Sequence, residues 1–152
     1  MNSASFSVEC LALPFTLASP MDLVTQDDDA SPISELHFRF LFGGSPIKAS
    51  GYVAAGGSIQ AVVGATTITT LQTYHLVLTY DDTSKALKVY VNGVLDGTTT
   101  VTGAANVAST QGMFFGALSA RNIERFNGLM DEVAFYGTAL SSTRIAAHYA
   151  AA

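Results

Sequence analysis

The chain has 152 residues, of which 12% are charged and 49% hydrophobic; 7 Lys and Arg against 12 Asp and Glu leave a formal net charge of −5. That length suits one domain with one core. The missing basic cluster excludes nucleic acid as a partner, no apolar run reaches the ~18 residues of a membrane span, and one cysteine, Cys10, excludes an internal disulfide. Soluble domains usually carry about 25% charged residues. This surface is therefore expected to be polar through Ser, Thr, Asn and Gly, or to be covered by a partner. The N-terminal segment has no basic start, and Glu9 and Pro14 interrupt its apolar stretch, so it does not read as a signal peptide.

In chain order, strands come first. "SFSVECLA" alternates, with Phe6, Val8 and Cys10 on one side. Phe15 to Ser34 follows as a long irregular stretch, of the kind that tends to be functional or mobile. Inside it, "TQDDDAS" gathers Asp27, Asp28 and Asp29. Oxygen-rich loops suit Ca²⁺, which takes about six to eight oxygen ligands. The glycine and distal Glu of a full calcium loop are absent, so a solvated acidic loop is the simpler reading. "ELHFRFLF" puts Leu36, Phe38, Phe40 and Phe42 on one face, and Glu35, His37 and Arg39 on the other. "YHLVLTY" groups Tyr74, Leu76, Leu78 and Tyr80. After a turn over Asp81 to Lys85, "ALKVYVNGV" groups Leu87, Val89 and Val91. Asn92-Gly93 marks a two-residue hairpin, because both residues tolerate positive φ. Short strands at this spacing indicate a sandwich or a barrel. A final strand over Gly128 to Tyr136 leads to one helix. Ser141 is its N-cap, Leu140 and Ile145 form a hydrophobic staple, and Arg144 stands where a capping box wants Glu. Ile145 and Tyr149 are expected to pack this helix on the sheets.

Two adjacent carboxylates, Asp131 and Glu132, interrupt the last strand. Alternation sends them to opposite faces, so they are not a pair flanking one scissile glycosidic bond. Positions two and four away from either hold no carboxylate, and a partner on a neighbouring strand has no sequence support. Asp131 shares its face with Leu129, Val133 and Phe135 and is expected to point inward. There it is a structural carboxylate satisfied by loop N–H groups or an arginine, or else a metal ligand. Glu132 is expected to face solvent. His37, His75 and His148 lack metal-ligand spacing and read as surface or hydrogen-bonded histidines. Cys10, on a core face, reads as inert. No nucleophile elbow, phosphate-binding loop or dinucleotide glycine pattern is present.

Three stretches together resemble the laminin G-like, concanavalin A-like jelly roll in its bacterial and phage form. They are "FSVECLALP" (Phe6 to Pro14), "YHLVLTYDDTSKALKVYVNG" (Tyr74 to Gly93) and the closing segment from Phe126 to Tyr149. The resemblance implies an all-β fold, a two-sheet antiparallel jelly-roll sandwich with a short C-terminal helix, as a single domain over residues 1–152. It also implies a non-catalytic binding role toward glycans or protein surfaces, often with Ca²⁺ at the rim, and makes Asp131 a signature position. Leu11 and Tyr74 stand where the family usually has Trp, which leaves Tyr52, Tyr90 and Tyr136 as sugar-stacking candidates. The family's usual first strand is missing upstream of Phe6. Its absence predicts an open sheet edge, covered by a neighbouring subunit or by the Phe15 to Ser34 segment.

Two functions follow from these readings. The first is a structural or decorating subunit of an extracellular assembly such as a phage virion, pairing with other protein subunits. The second is a carbohydrate-binding adhesion domain of a cell surface, Ca²⁺-dependent in one version. Neither is an enzyme, and neither inserts in a membrane.

Overall fold

Alternation builds the strands. Phe6, Val8 and Cys10 are fully buried, as are Phe38, Phe40 and Phe42, then Leu76, Leu78 and Tyr80, then Leu87 and Val89. A computed structural model describes residues 4–26, 37–107, 109–110, 112–118 and 124–152. Its elements are β1 (Phe6–Pro14), β2 (Met21–Gln26), β3 (Phe38–Gly43), β4 (Lys48–Ala55), β5 (Ser58–Thr67), β6 (Tyr74–Asp81), β7 (Ala86–Val91), β8 (Val94–Thr100), β9 (Phe114–Phe115), β10 (Gly128–Tyr136) and α1 (Ser142–Ala151). Two five-stranded antiparallel sheets form, in the orders β10-β1-β6-β7-β8 and β5-β4-β3-β2-β9. The apolar faces close on each other as the core of a jelly-roll sandwich. Phe6 sits at one focus of it, with the rings of Phe38, Tyr80 and Phe135 at 5.0, 6.0 and 6.1 Å. A fully buried ring such as Phe6 or Phe38 contributes roughly 1.5–3 kcal/mol by leaving water.

Turn chemistry fixes the hairpins. Asn92 and Gly93 have φ of 50° and 77°, and Val91 pairs with Val94 across them. Both residues in the left-handed region match the twist of the flanking strands. Gly93 has a second reason to lack a side chain, since a Cβ there would lie 3.0 Å from Tyr149 on α1. The turn after β6 is held by Asp81, whose carboxylate accepts from the Thr83 amide (3.0 Å) and the Ser84 hydroxyl (2.7 Å).

Three expectations change here. The Phe15 to Ser34 stretch contains a strand, β2, all six of whose residues are buried. β2 lies between β3 and β9 in the second sheet, so it does not cover β10, the outermost strand of the first sheet. Residues 27–36 lie outside the described residues. Second, His37 is fully buried rather than on an outer polar face. Its ring meets Phe6 edge-on at 5.1 Å, and its Nδ1 bonds Gln26 Oε1 at 2.8 Å.

Third, β10 does not alternate throughout. Glu9 pairs with Ala134, but Leu11 pairs with Asp131, so β10 spends one extra residue in a β-bulge. Glu132 takes the left-handed conformation there, with φ of 51°. The bulge reverses the parity of the strand. Phe135 and Met130, five positions apart, both pack on the core. Leu129, Asp131 and Val133 are all exposed to solvent.

On the outer face of the first sheet lies α1. Ser141 caps it, accepting the Arg144 amide at 3.3 Å. Ile145, fully buried, packs with Leu140 against Val77 and Tyr90 of the sheet. Among the described residues no helix is long and apolar enough to cross a membrane.

Candidate functional site

Polar side chains that alternation sends away from the core normally meet water. On β1, Glu9 does not, because α1 lies over that part of the sheet. Its carboxylate is the meeting point of four elements. Oε1 accepts from His75 Nε2 on β6 at 2.6 Å, and Oε2 accepts from the Tyr136 hydroxyl on β10 at 2.9 Å. His148 Nδ1, on α1, approaches both oxygens at 3.0 and 2.9 Å. The Glu9 side chain is only 8% exposed. Burial pushes its pKa up, but the hydrogen bonds from His75, His148 and Tyr136 outweigh burial and hold the carboxyl below its ordinary value. Glu9 in turn raises the pKa of the Tyr136 phenol, after burial, the larger cause.

An ionised carboxylate only accepts, so His75 donates from Nε2. Its other nitrogen, Nδ1, is buried without a hydrogen-bond partner. This cluster forms one wall of a cavity of about 490 Å³. Asp131 and Glu132 border the same cavity, and so do Ala151 and Ala152 at the C-terminal end of α1. Such volumes fall within the ~300–1,000 Å³ of small-molecule sites.

This placement corrects two expectations about the acidic pair. Asp131 is exposed rather than inward, and the two carboxylates border one cavity rather than opposite faces. The bulge is the cause of both. Asp131 also supports that bulge, since its Oδ1 accepts the Glu132 amide at 2.8 Å. The neighbouring-strand carboxylate that had no support in the sequence is Glu9, on the adjacent β1.

Of the stacking candidates, Tyr90 is corrected. It is 3% exposed beneath Ile145 and has no face to offer a sugar. Tyr136 is half-buried at the cavity. Tyr52 is half-buried on the second sheet, 6.0 Å beneath the Arg39 guanidinium. That guanidinium is held by Asp22 on β2 (Nε–Oδ1 3.1 Å, Nη2–Oδ2 2.8 Å) and by the Glu124 carboxylate. Burial, and secondarily the hydrogen bond and charge of Glu124, raise the Asp22 pKa to about 7 against the pull of Arg39.

Among the described residues no group of three or more His, Cys, Asp or Glu is arranged to hold a metal ion. At Glu9 the physical reason is direct, since the imidazole nitrogens that face it are engaged with its oxygens. Asp27, Asp28 and Asp29 lie outside the described residues. Cys10 is fully buried and its thiol is pushed up to about 12, chiefly by burial.

Glu9, His75 and His148 were not picked out together from the sequence. The signal was there in part. Glu9 and His75 fall on the outward positions of two strands whose inward positions are apolar, and His148 lies on the closing helix.

Comparison with known proteins places this geometry among lectin-like folds. The chain has a TM-score of 0.80 and 14% identity with the CBM40 of the Ruminococcus gnavus IT-sialidase bound to α2,3 sialyllactose, covering 97% of this chain and 83% of that one. With domain 4 of an extracellular arabinanase of Geobacillus stearothermophilus, solved with arabinotriose, the TM-score is 0.72 at 20% identity, over 97% and 67% of the two chains. A candidate carbohydrate-binding protein of Bacteroides ovatus matches at a TM-score of 0.73 and 19% identity; 94% of this chain is covered, but it spans only 40% of that one. No curated protein sequence matches. A family model described as the concanavalin A-like lectin/glucanases superfamily matches residues 1–146, and the chain belongs to that family.

Proposed function

We propose that the chain is a non-catalytic carbohydrate-binding module acting outside the cell or at a surface, with the cavity beside α1 as its ligand seat. The observation that carries this reading is the convergence of Glu9, His75, Tyr136 and His148 from four elements on one cavity. Polar groups fixed on rigid strands orient a hydroxylated ligand with little loss of side-chain freedom. The solved relatives bind sialyllactose and arabinotriose, which favours glycans over the virion-subunit reading. The fold and these likenesses lend the virion role no support of their own.

The chemistry of Glu9 supports binding rather than cleavage. A glycosidase needs a carboxyl kept protonated to serve as general acid. Glu9 is held in the opposite direction, ionised by three donors. His75 Nδ1, the free end of the imidazole, is buried and meets no hydroxyl or thiol.

A glycan array probed with the whole chain tests this reading, followed by amide chemical-shift mapping with the best oligosaccharide. Retention of at least one glycan, with shifts at Glu9, His75 and Tyr136 and no release of cleaved sugar, is the expected result. Retention of none, or turnover of the bound sugar, overturns it. Repeating the array in EDTA tests the calcium assigned to Asp27, Asp28 and Asp29: a Ca²⁺-dependent site loses binding, and a site built on the described residues alone keeps it.

A further inference from the structure

The cavity has a sign. Glu9, Asp131 and Glu132 bring three carboxylates to it. Glu9 is saturated by its three donors, but among the described residues Asp131 accepts only the Glu132 backbone amide, and the Glu132 carboxylate has no hydrogen bond or ion pair. The C-terminal end of α1 meets the cavity at Ala151 and Ala152, and a helix C-terminus carries the negative end of its macrodipole. His75 also lines the cavity, and its Nδ1 is buried without a hydrogen-bond partner. The counterweights are His148, whose charge acts on Glu9, and Arg144, one turn earlier on α1, whose charge acts on Tyr136. Among the described residues no Lys or Arg side chain borders the cavity.

Carboxylates without a cation partner, next to a helix C-terminus, favour a positive ligand and repel a negative one. We propose that the cavity takes an amine-bearing sugar, its ammonium set between Asp131 and Glu132 and its ring against Tyr136, and that it rejects acidic sugars. This inference rests on the carbohydrate-binding reading and gives it a substrate class. It also sets the chain apart from the sialyllactose-bound relative, whose ligand is an acid. The alternative cation, a lysine side chain of a partner protein, fills little of 490 Å³; a hexose ring fills more.

The test is titration calorimetry of the whole chain with three probes: a glucosamine trisaccharide, its N-acetylated counterpart and 3′-sialyllactose. Shift mapping locates each bound probe. The amine form is expected to bind at least tenfold tighter than the acetylated form, to weaken with added salt, and to shift residues around Asp131 and Glu132. Asp131→Asn combined with Glu132→Gln is expected to remove that tenfold preference while circular dichroism stays unchanged, since both side chains are exposed. Glu132→Gln alone keeps the Asp131 support of the bulge and guards against misfolding of the pair. Equal or tighter binding of the acetylated or sialylated probe overturns the charge preference but leaves the carbohydrate-binding reading intact. Shifts confined to Arg39 and Tyr52 also overturn the inference. Failure of all three probes and of the array together overturns both.

Discussion

Glu9 takes hydrogen bonds from β6, β10 and α1 at once, so its removal strands several donors together. Glu9→Ala leaves His75 Nε2 buried without an acceptor, and a loss of about 2–4 kcal/mol in urea denaturation is expected. Tyr136→Phe removes one donor from a carboxylate that keeps two others, and is expected to cost about 1 kcal/mol. A result in which both variants cost the same would mean that Glu9 does not act as the hub. Glu132 works in the other direction. A non-glycine residue at φ of 51° carries conformational strain, so Glu132→Gly is expected to leave stability unchanged or raise it by up to ~1 kcal/mol in the same measurement, while removing a cavity carboxylate.

At the scale of elements, α1 is held by its cap, by Ile145 and by the His148 contact. Ser141→Ala is expected to cost about 1 kcal/mol in thermal or urea unfolding. How much of this was legible depends on what each element needed. The alternating strands β1, β3, β6 and β7 declared their inward faces, and the Asn92-Gly93 hairpin and Ser141 cap declared themselves through residue types with local mechanisms. β2 did not, because "MDLVTQ" is buried on both faces and so shows no alternation. The β10 bulge was hidden for a different reason: such a position is usually marked by glycine, and here Glu132 occupies it. One extra residue then reversed the face assigned to Asp131. The cavity needed both the bulge and the helix lying over Glu9. Neither follows from local pattern, and its members lie 66 and 139 residues apart in sequence.

Over the whole molecule, two carboxyls pull the pH dependence of stability in opposite directions. Glu9 has a folded pKa below its ordinary 4.5, so its contribution is present above that value and is lost as pH falls through the folded pKa. Asp22 has a folded pKa raised to about 7 from 3.8, so its contribution is present at low pH and is lost as pH rises toward about 7. Together they place the stability maximum on the acidic side, at about pH 4, where the Glu9 gain gives way to the Asp22 loss. Urea midpoints measured from pH 4 to 9 are expected to fall from pH 4 to about 7 and to level off above it. Asp22→Asn, which mimics the protonated side chain, is expected to flatten that fall. An unchanged profile in the variant would assign the slope to other groups.

The position of Ala151 and Ala152 at the cavity has a practical corollary for anyone who handles this protein. Whatever is spliced after Ala152 emerges beside the carboxylates that give the cavity its sign. Below about pH 6.5 a polyhistidine tag joined there carries cationic side chains on a flexible tether, at a high effective concentration relative to any dissolved sugar. It would behave as a built-in competitor, and an array run on such material would report weak or absent binding from a fully folded protein. Cleaving the tag before measurement separates that artefact from a true negative.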